Sequence, residues 1–530
     1  HSEVILWDMA TGKEVRRYPT GMWNVWKIAF SPDGKRLALR STSGAIQLWD
    51  TATGRVLPAS VDPVLEGISD VRFSSDGRRL LGQTDRYIAW DPATGREIRR
   101  TAKPPGSPRL LALSPDESLL AGADSDDPKG TIRLWAAATG QLERALNGHQ
   151  DKVHSFVFSP DSRRLASTDY NKTIRVWDVA NGRQLHQFNV KDTEFLTFSP
   201  DGRWLASANY LGDPTRDGQI ILWDLVSGRE KSRFAPVRNK SVYRLAFSPD
   251  SRLLAATVGG NGRNDPIEVA VWDVANGTRL HLLDGQKTGA WSLAFSPDGR
   301  MLAIEGSDGA LILWELASDR KRHQFIGHEN GIGSLAFSPD GRYLAAASPE
   351  APAFVWDVFG VVAAKQRRLS NDELQRCWAV LAGNDAAAAF QSIRRLAAAP
   401  EQTLPLLRQH LKPVPAPDNK SVRRLVEMLD SDDFPTRQKA AEELEKQADA
   451  GLLRQIVAKE KPSLEVRRRL QQILEGIKSN PQALRVTRAV EVLEWIATPE
   501  AVRLIDDLAK GATDARLTRE AVAARQRRRR

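Results

Sequence analysis

The chain has 530 residues, 41% of them hydrophobic, and a mean hydropathy of −0.41; it is too long for one core and holds apolar material for two or three. No apolar run approaches the roughly 18 residues of a membrane-spanning helix, and a single cysteine, Cys377, excludes an internal disulfide framework and sets the expectation of a cytoplasmic protein. The net charge of +10 is concentrated late in the chain, where residues 358–530 carry 32 Lys and Arg against 23 Asp and Glu, a balance of +9.

The first element, residues 4–7 of HSEVILWDMATGKEV, reads as a third strand ending in Trp7-Asp8, with residues 14–17 as a fourth. The first two strands of that unit are missing, so the chain is expected to be a fragment. The same ending returns at Trp49-Asp50, Trp90-Asp91, Trp177-Asp178, Trp223-Asp224, Trp272-Asp273 and Trp356-Asp357, with Trp135-Ala136 and Trp314-Glu315 as variants. Between these endings the phenylalanines of FSPDG and its relatives fall at Phe30, Phe73, Phe158, Phe198, Phe247, Phe295 and Phe337, with Leu113 in the remaining slot. Successive spacings of 43, 40, 45, 40, 49, 48 and 42 residues signal a propeller or a solenoid.

Residues 290–325 give the local reading of one repeat. Residues 290–295 and 301–304 alternate apolar with small or polar side chains, 311–314 is a short buried run and 320–325 a more polar strand. Ser-Pro-Asp-Gly between the first two strands makes a tight reversal, because proline pre-sets φ, aspartate caps the turn and glycine accepts positive φ. Each repeat is thus a four-stranded meander, and such sheets bury their faces by packing around an axis and closing.

With these residues in place, the chain from 1 to about 360 resembles the WD40 repeat family, through the Trp-Asp endings, the FSPDG turns and the Gly-His pairs Gly148-His149 and Gly327-His328. The resemblance implies an all-β propeller in which the Gly-His histidine, a Ser or Thr of the second strand, an Asp of the turn and the Trp share buried hydrogen bonds. Most repeats here lack the histidine, so packing is expected to carry more of the stability. Propellers of the TolB-like or peptidase type also use SPDG turns and are the alternative fold. Eight inner strands, with an N-terminal strand completing the last blade, give an expectation of eight blades; seven plus a partial blade is the alternative.

After Gly360 the period changes. Ser370 with Glu373 three residues later forms a capping box for a helix through Cys377, Trp378 and Leu381, followed by helices over 385–398 and 401–411. KPVPAP at 412–417 is a stiff break. Beyond it, Pro435-Thr436-Arg437 and Val466-Arg467 stand early in amphipathic stretches that resemble HEAT-type repeats, and the arrangement is similar to the helical tails of some large bacterial WD40 proteins. The expected organisation is a propeller over 1–360, a helical connector over 361–411, the Pro-rich break over 412–417, and an all-α HEAT-like domain with a basic tail over 418–530.

No enzyme signature emerges. The recurring aspartates Asp33, Asp76, Asp116, Asp161, Asp201, Asp250, Asp298 and Asp340 each occupy the same turn and read as turn chemistry. His186, His281 and His323 fall on fourth strands of three different blades, so they are expected not to share a zinc. DSDDPKG at 124–130 begins like a calcium loop but has Trp135 at the twelfth position. GGNG at 259–262 has no following helix to build a phosphate loop. No cofactor is expected. Arg467, Arg468 and Arg469 are candidate phosphate contacts, although the acidic residues around them favour a solvated face over nucleic-acid binding.

The mouth of the propeller is the expected binding face. In each first strand apolar residues stand five and two positions before the motif phenylalanine, as in Val25, Ile28 and Phe30. Spacings of three then two require a bulge, which turns the residue four before the phenylalanine toward the mouth. That position holds Trp26, Ser69, Arg109, His154, Glu194, Tyr243, Trp291 and Gly333. Long second-to-third-strand loops, carrying Arg216 and Arg263, emerge on the same side. The expectation is a monomeric, non-enzymatic scaffold that binds a protein or peptide there. The alternative is the recognition part of a larger enzyme or signalling protein whose N-terminal domain is missing.

Overall fold

The computed structural model describes residues 3–8, 13–19, 25–41, 46–51, 53, 55–56, 70–74, 79–83, 87–90, 97–102, 110–123, 127–190, 193, 195–208, 219–234, 241–259, 267–286, 293–305, 310–325, 334–339, 341, 343–347, 353–357, 368–414, 419–447, 453, 456–457, 462–478, 481–512 and 515–528. Two compact units result: His1–Leu313 with Gln324–Phe359, and Trp314–His323 with Gly360–Arg530.

The first unit is a β-propeller. Its repeats fold as the local pattern requires: Val153–Phe158, Arg164–Asp169, Thr173–Asp178 and Gln184–Asn189 make one antiparallel meander, reversed after the first strand by a Ser-Pro-Asp turn. In that turn the Ser159 hydroxyl donates to Asp161 at 2.5 Å and accepts from the Arg164 N–H at 2.9 Å, and the equivalent serines Ser31, Ser199, Ser248 and Ser296 do the same. The serine is the hub that makes the turn self-sufficient. Between blades the cores are apolar: Ala121, Leu134 and Leu146 of one blade pack with Val153, Phe158, Leu165 and Trp177 of the next. Innermost strands of neighbouring blades touch along most of the ring, and Ser334–Phe337 returns to meet Val25–Phe30, which closes it.

The expectation of eight four-stranded blades is corrected to six, and the other two described sheets depart from the meander. The sheet of Val25–Phe30, Arg36–Ser41 and Ile46–Asp50 has three described strands, with an isolated bridge between Trp49 and Val56 after them. The sheet of Ser334–Phe337, Tyr343–Ala347 and Ala353–Asp357 has five, because Glu3–Asp8 and Lys13–Pro19 both join it. One N-terminal strand was expected to complete the last blade. Instead Glu3–Asp8 pairs in parallel with Ala353–Asp357, Trp7 opposite Trp356, and carries Lys13–Pro19 outside it. Two like strands lie side by side in register, so each apolar alternation keeps its face.

In the second unit nine helices are described: α1 (Asn371–Val380), α2 (Ala386–Ala397), α3 (Pro400–His410), α4 (Asn419–Met428), α5 (Phe434–Gln447), α6 (Leu464–Lys478), α7 (Pro481–Ile496), α8 (Pro499–Leu508) and α9 (Arg516–Arg527). The capping box opens α1 as expected, with the Glu373 N–H donating to Ser370 at 3.2 Å and the Ser370 N–H donating to Glu373 at 2.9 Å. Residues 361–411, expected as a connector, supply α1–α3 to one core shared with α7–α9, built on Trp378, Ile393, Leu407, Leu493, Ile505 and Leu517. Helices α4–α6 form a separate core around Val422, Leu429, Leu444 and Leu470.

The second unit also contains a buried ionic quartet. Arg488 on α7 forks onto Glu315 at 3.1 and 2.6 Å, and its remaining nitrogen donates to the Leu381 and Gly383 carbonyls at 2.8 and 2.7 Å. Arg322 reaches Glu491 at 2.9 Å, Glu315 at 3.9 Å, and lies 4.4 Å over the Phe390 ring. Burial raises the Glu315 carboxyl, but Arg488 and Arg322 outweigh it and hold it below the usual range.

Candidate functional site

Each first strand begins at the propeller face where second and third strands are joined, because its N-terminal end pairs with the C-terminal end of the second strand. Three first strands show the expected bulge there. Val25 opposes Ser41 and Lys27 opposes Arg40; Val153 opposes Asp169 and Ser155 opposes Thr168; Val242 opposes Val258 and Arg244 opposes Thr257. The extra residues are Trp26, His154 and Tyr243. For Trp26 and Tyr243 the side chains lie outside the described residues. Ser69, Arg109, Glu194, Trp291, Gly333, Arg216 and Arg263 lie outside them altogether.

His154 is described in full. It is half-buried and meets Tyr170 with ring centroids 4.7 Å apart, while Tyr170 stays 65% exposed at the tip of the turn between second and third strands. Burial pushes the His154 imidazole below its ordinary value of 6.5, against the pull of Asp169, so the ring is neutral at physiological pH. Sequence reasoning missed Tyr170. Its signal was an aromatic placed directly after the turn aspartate Asp169, where solvated residues suffice.

Beneath this pair lies a rigid support. His149 bonds Asp169 at 2.8 Å through Nδ1 and Ser167 at 2.7 Å through Nε2, Trp177 donates its indole N–H to Ser167 at 2.8 Å, and Thr173 donates to Asp169 at 2.9 Å. All five residues are buried. A histidine, a serine, an aspartate and the strand-end tryptophan therefore lock both connections at the mouth of this blade. The WD domain, G-beta repeat family matches residues 12–50, 140–178, 185–224, 277–315 and 319–350.

Five stretches of the propeller are WD40 repeats.

Where the histidine is absent the WD40 network shrinks: in the next blade Trp223 still donates to Ser207 at 2.9 Å. The strand-end aspartates have a separate task, since Asp50, Asp178, Asp224 and Asp273 accept from the N–H groups two or three residues on. Among curated proteins the chain is 28% identical to periodic tryptophan protein 2 of Arabidopsis thaliana, over 43% of this chain and 25% of that protein. It is 27% identical to human apoptotic protease-activating factor 1, over 43% and 18%, and 31% identical to protein groucho of Drosophila melanogaster, over 31% and 23%. The matched region thus spans a quarter or less of each of these relatives. The crystal structure of the computationally designed Ika8 protein superposes with a TM-score of 0.51 at 21% identity, covering 63% of this chain and 96% of that one.

Other candidates are dispersed. His186, His281 and His323 fall in three different sheets, and His186 bonds the Leu225 carbonyl of the adjacent blade at 3.0 Å. The Asp127 carboxylate accepts from the N–H groups of Lys129 and Thr131 at 2.9 and 3.3 Å, closing its own turn. On α6, Arg467 and Arg468 are exposed, whereas Arg469 pairs with Glu465 at 2.7 Å. Among the described residues no group of acidic, histidine and cysteine side chains could hold a metal ion, and no helix is long and apolar enough to cross a membrane.

Proposed function

We propose that this chain is a monomeric, non-enzymatic interaction scaffold. Its WD40 propeller takes a protein or peptide at the mouth, and its helices, with α5 and α6 as HEAT-like units, offer a second surface. The observation that carries this reading is the repeated bulge, which spends an unpaired residue at the same end of three innermost strands and places Trp26, His154 and Tyr243 there. A bulge costs ladder hydrogen bonds and its return is a re-aimed side chain. Trp and Tyr are typical anchors of protein interfaces, and removing a true one costs about 2 kcal/mol or more of binding. Arg109, Glu194 and Trp291 hold the corresponding sequence positions in other blades and complete the proposed contact set, with Arg216 and Arg263 on the loops beside them.

The test compares Trp26→Ala, Tyr243→Ala and Trp291→Ala with the parent chain in partner capture and in thermal midpoint. Lost capture at an unchanged midpoint is expected; capture that survives all three substitutions would sink the mouth as the binding face. A second reading, the recognition part of a larger enzyme or signalling protein, is favoured by the small share of each relative that this chain matches.

A further inference from the structure

Around the Tyr170–His154 pair, the described cations and anions differ in exposure. Lys129, Lys152 and Lys172 are exposed. The acidic neighbours are less exposed: half-buried Asp127 closes its own turn and lies 3.9 Å from Arg133, half-buried Asp151 accepts the Lys152 N–H at 2.7 Å, and Asp169 is buried on His149 and Thr173.

Backbone contacts bring the three lysines to one stretch of surface. The Tyr170 N–H donates to the Lys152 carbonyl at 3.2 Å, joining the two connections of this blade. A Cβ on Gly130 would lie 2.1 Å from the Asp151 carbonyl oxygen and 3.0 Å from the His149 Cβ, so the turn carrying Lys129 abuts the segment carrying Lys152. The Val190 N–H donates to the Lys172 carbonyl at 2.8 Å, extending the stretch toward the following blade. A cationic strip thus crosses the mouth side of two adjacent blades, with an exposed phenol tilted 42° against a neutral imidazole in its middle.

Resting on the mouth reading above, we infer that this strip binds an acidic peptide segment, its carboxylates on Lys129, Lys152 and Lys172 and an apolar or aromatic side chain on the Tyr170–His154 platform. Lysines are point cations that suit single carboxylates, and a tilted aromatic pair offers an apolar corner with a polar edge. Nucleic acid suits the strip less well. Phosphodiester chains need an extended positive field, and residues 1–357 carry 44 Lys and Arg against 43 Asp and Glu, so the field beyond the strip is balanced.

The experiment uses the full chain and three labelled probes of equal length: a peptide of Asp, Glu and Leu, the same peptide with Lys for each acid, and single-stranded DNA. Fluorescence anisotropy at low and physiological salt is expected to show the acidic peptide binding at least about tenfold more tightly than the basic one, with salt weakening it. Combining Lys129→Glu, Lys152→Glu and Lys172→Glu should abolish that binding at an unchanged thermal midpoint, and Tyr170→Ala should weaken it several-fold. Equal binding of acidic and basic peptides, binding that survives charge reversal, or tighter binding of DNA overturns the inference. A random peptide library selected on the same chain separates this failure from that of the mouth reading. Enriched peptides that are not acidic but are lost on Trp26→Ala or Tyr243→Ala would sink only the acidic assignment. Enrichment insensitive to every mouth substitution would sink both.

Discussion

Ser162 and Ser251 hold φ of 62° and 61° at the turn position where Gly34, Gly202 and Gly299 hold 66°, 68° and 70°. A side chain there costs about 1 kcal/mol, and both serines offset it by reaching the preceding blade: Ser162 accepts the Asp116 N–H at 3.0 Å and Ser251 the Asp201 N–H at 3.1 Å. Glu117, at φ 61°, does the same with charge, meeting Arg79 at 2.9 Å and Arg99 at 3.1 Å. Ser162→Ala keeps the strained backbone and loses the bond, so it should cost about 1 to 2 kcal/mol, whereas Ser162→Gly relieves the strain and should cost less. Denaturant midpoints of the two variants check the order, and alanine proving the milder would refute the staple. His149 makes a second residue-scale case. Burial depresses its imidazole below 6.5 more than Asp169 raises it, so the folded state takes up a proton less readily than the unfolded chain. The stability it contributes is complete above about pH 6.5 and falls as the pH drops from there toward the depressed folded value. Asp169 adds to this at lower pH: burial raises its carboxyl, but the Thr173 N–H and His149 more than compensate, so its contribution is present above the ordinary carboxylate range and lost in acid. His149→Ala should cost about 1 to 3 kcal/mol, since Ser167 and Asp169 lose a buried partner. It should also flatten the decline of the thermal midpoint just below pH 6.5; an equally steep decline would show that other groups carry it.

The bulged first strand shows how far local pattern reaches at the scale of an element. Val153, Phe156 and Phe158 share one core although their spacing is three then two, and the extra residue that reconciles them is His154. Deleting His154 leaves Val153 opposite Asp169 and Ser155 opposite Thr168, now as neighbours on alternate faces, so the core register survives. The deletion variant should therefore keep its fold, with a thermal midpoint within a few degrees of the parent, and lose binding at the mouth. Deleting Arg175 from the regular third strand instead transfers the residues beyond it to the wrong face and should abolish the soluble fold. Comparable losses from both deletions would contradict the assignment of His154 as the spare residue. The bulge, the Ser-Pro-Asp turns and the Ser370 capping box were legible because each is fixed within about five residues of chain. What stayed hidden is settled by partners far away in sequence. The parallel pairing of Trp7 with Trp356 and the core shared by Leu407, Leu493 and Leu517 leave no mark on periodicity. Of the site, the bulge positions were readable because spacing dictates them. The Tyr170 platform and the three lysines were not, since a tight turn with an exposed tyrosine has the same local grammar as any other.

At the scale of the whole molecule the chain holds two units with cores of their own, and two unfolding transitions are expected. Residues 314–323 belong to the helical unit, and the sequence marks them. Where Asp50, Asp178, Asp224 and Asp273 fold back onto their own turns, this repeat has Glu315, one methylene longer, and its carboxylate accepts from the Ser318 hydroxyl of its own turn and also from Arg488 of α7. Each nitrogen of Arg488 is engaged, on Glu315 or on the Leu381 and Gly383 carbonyls, so a neutral partner at 315 leaves a buried cation uncompensated. Removing one member of such a pair costs about 3 to 5 kcal/mol, while replacing both with apolar residues of similar volume is often close to neutral. Glu315→Gln should therefore lower the midpoint of the helical transition, followed by far-ultraviolet circular dichroism in denaturant, and Glu315→Leu with Arg488→Met should recover most of the loss. The propeller transition, followed by tryptophan fluorescence, supplies the control, because Ser167→Ala should lower it and leave the helical transition in place. If Glu315→Gln left the helical midpoint untouched, the ionic quartet would have no part in holding that unit together.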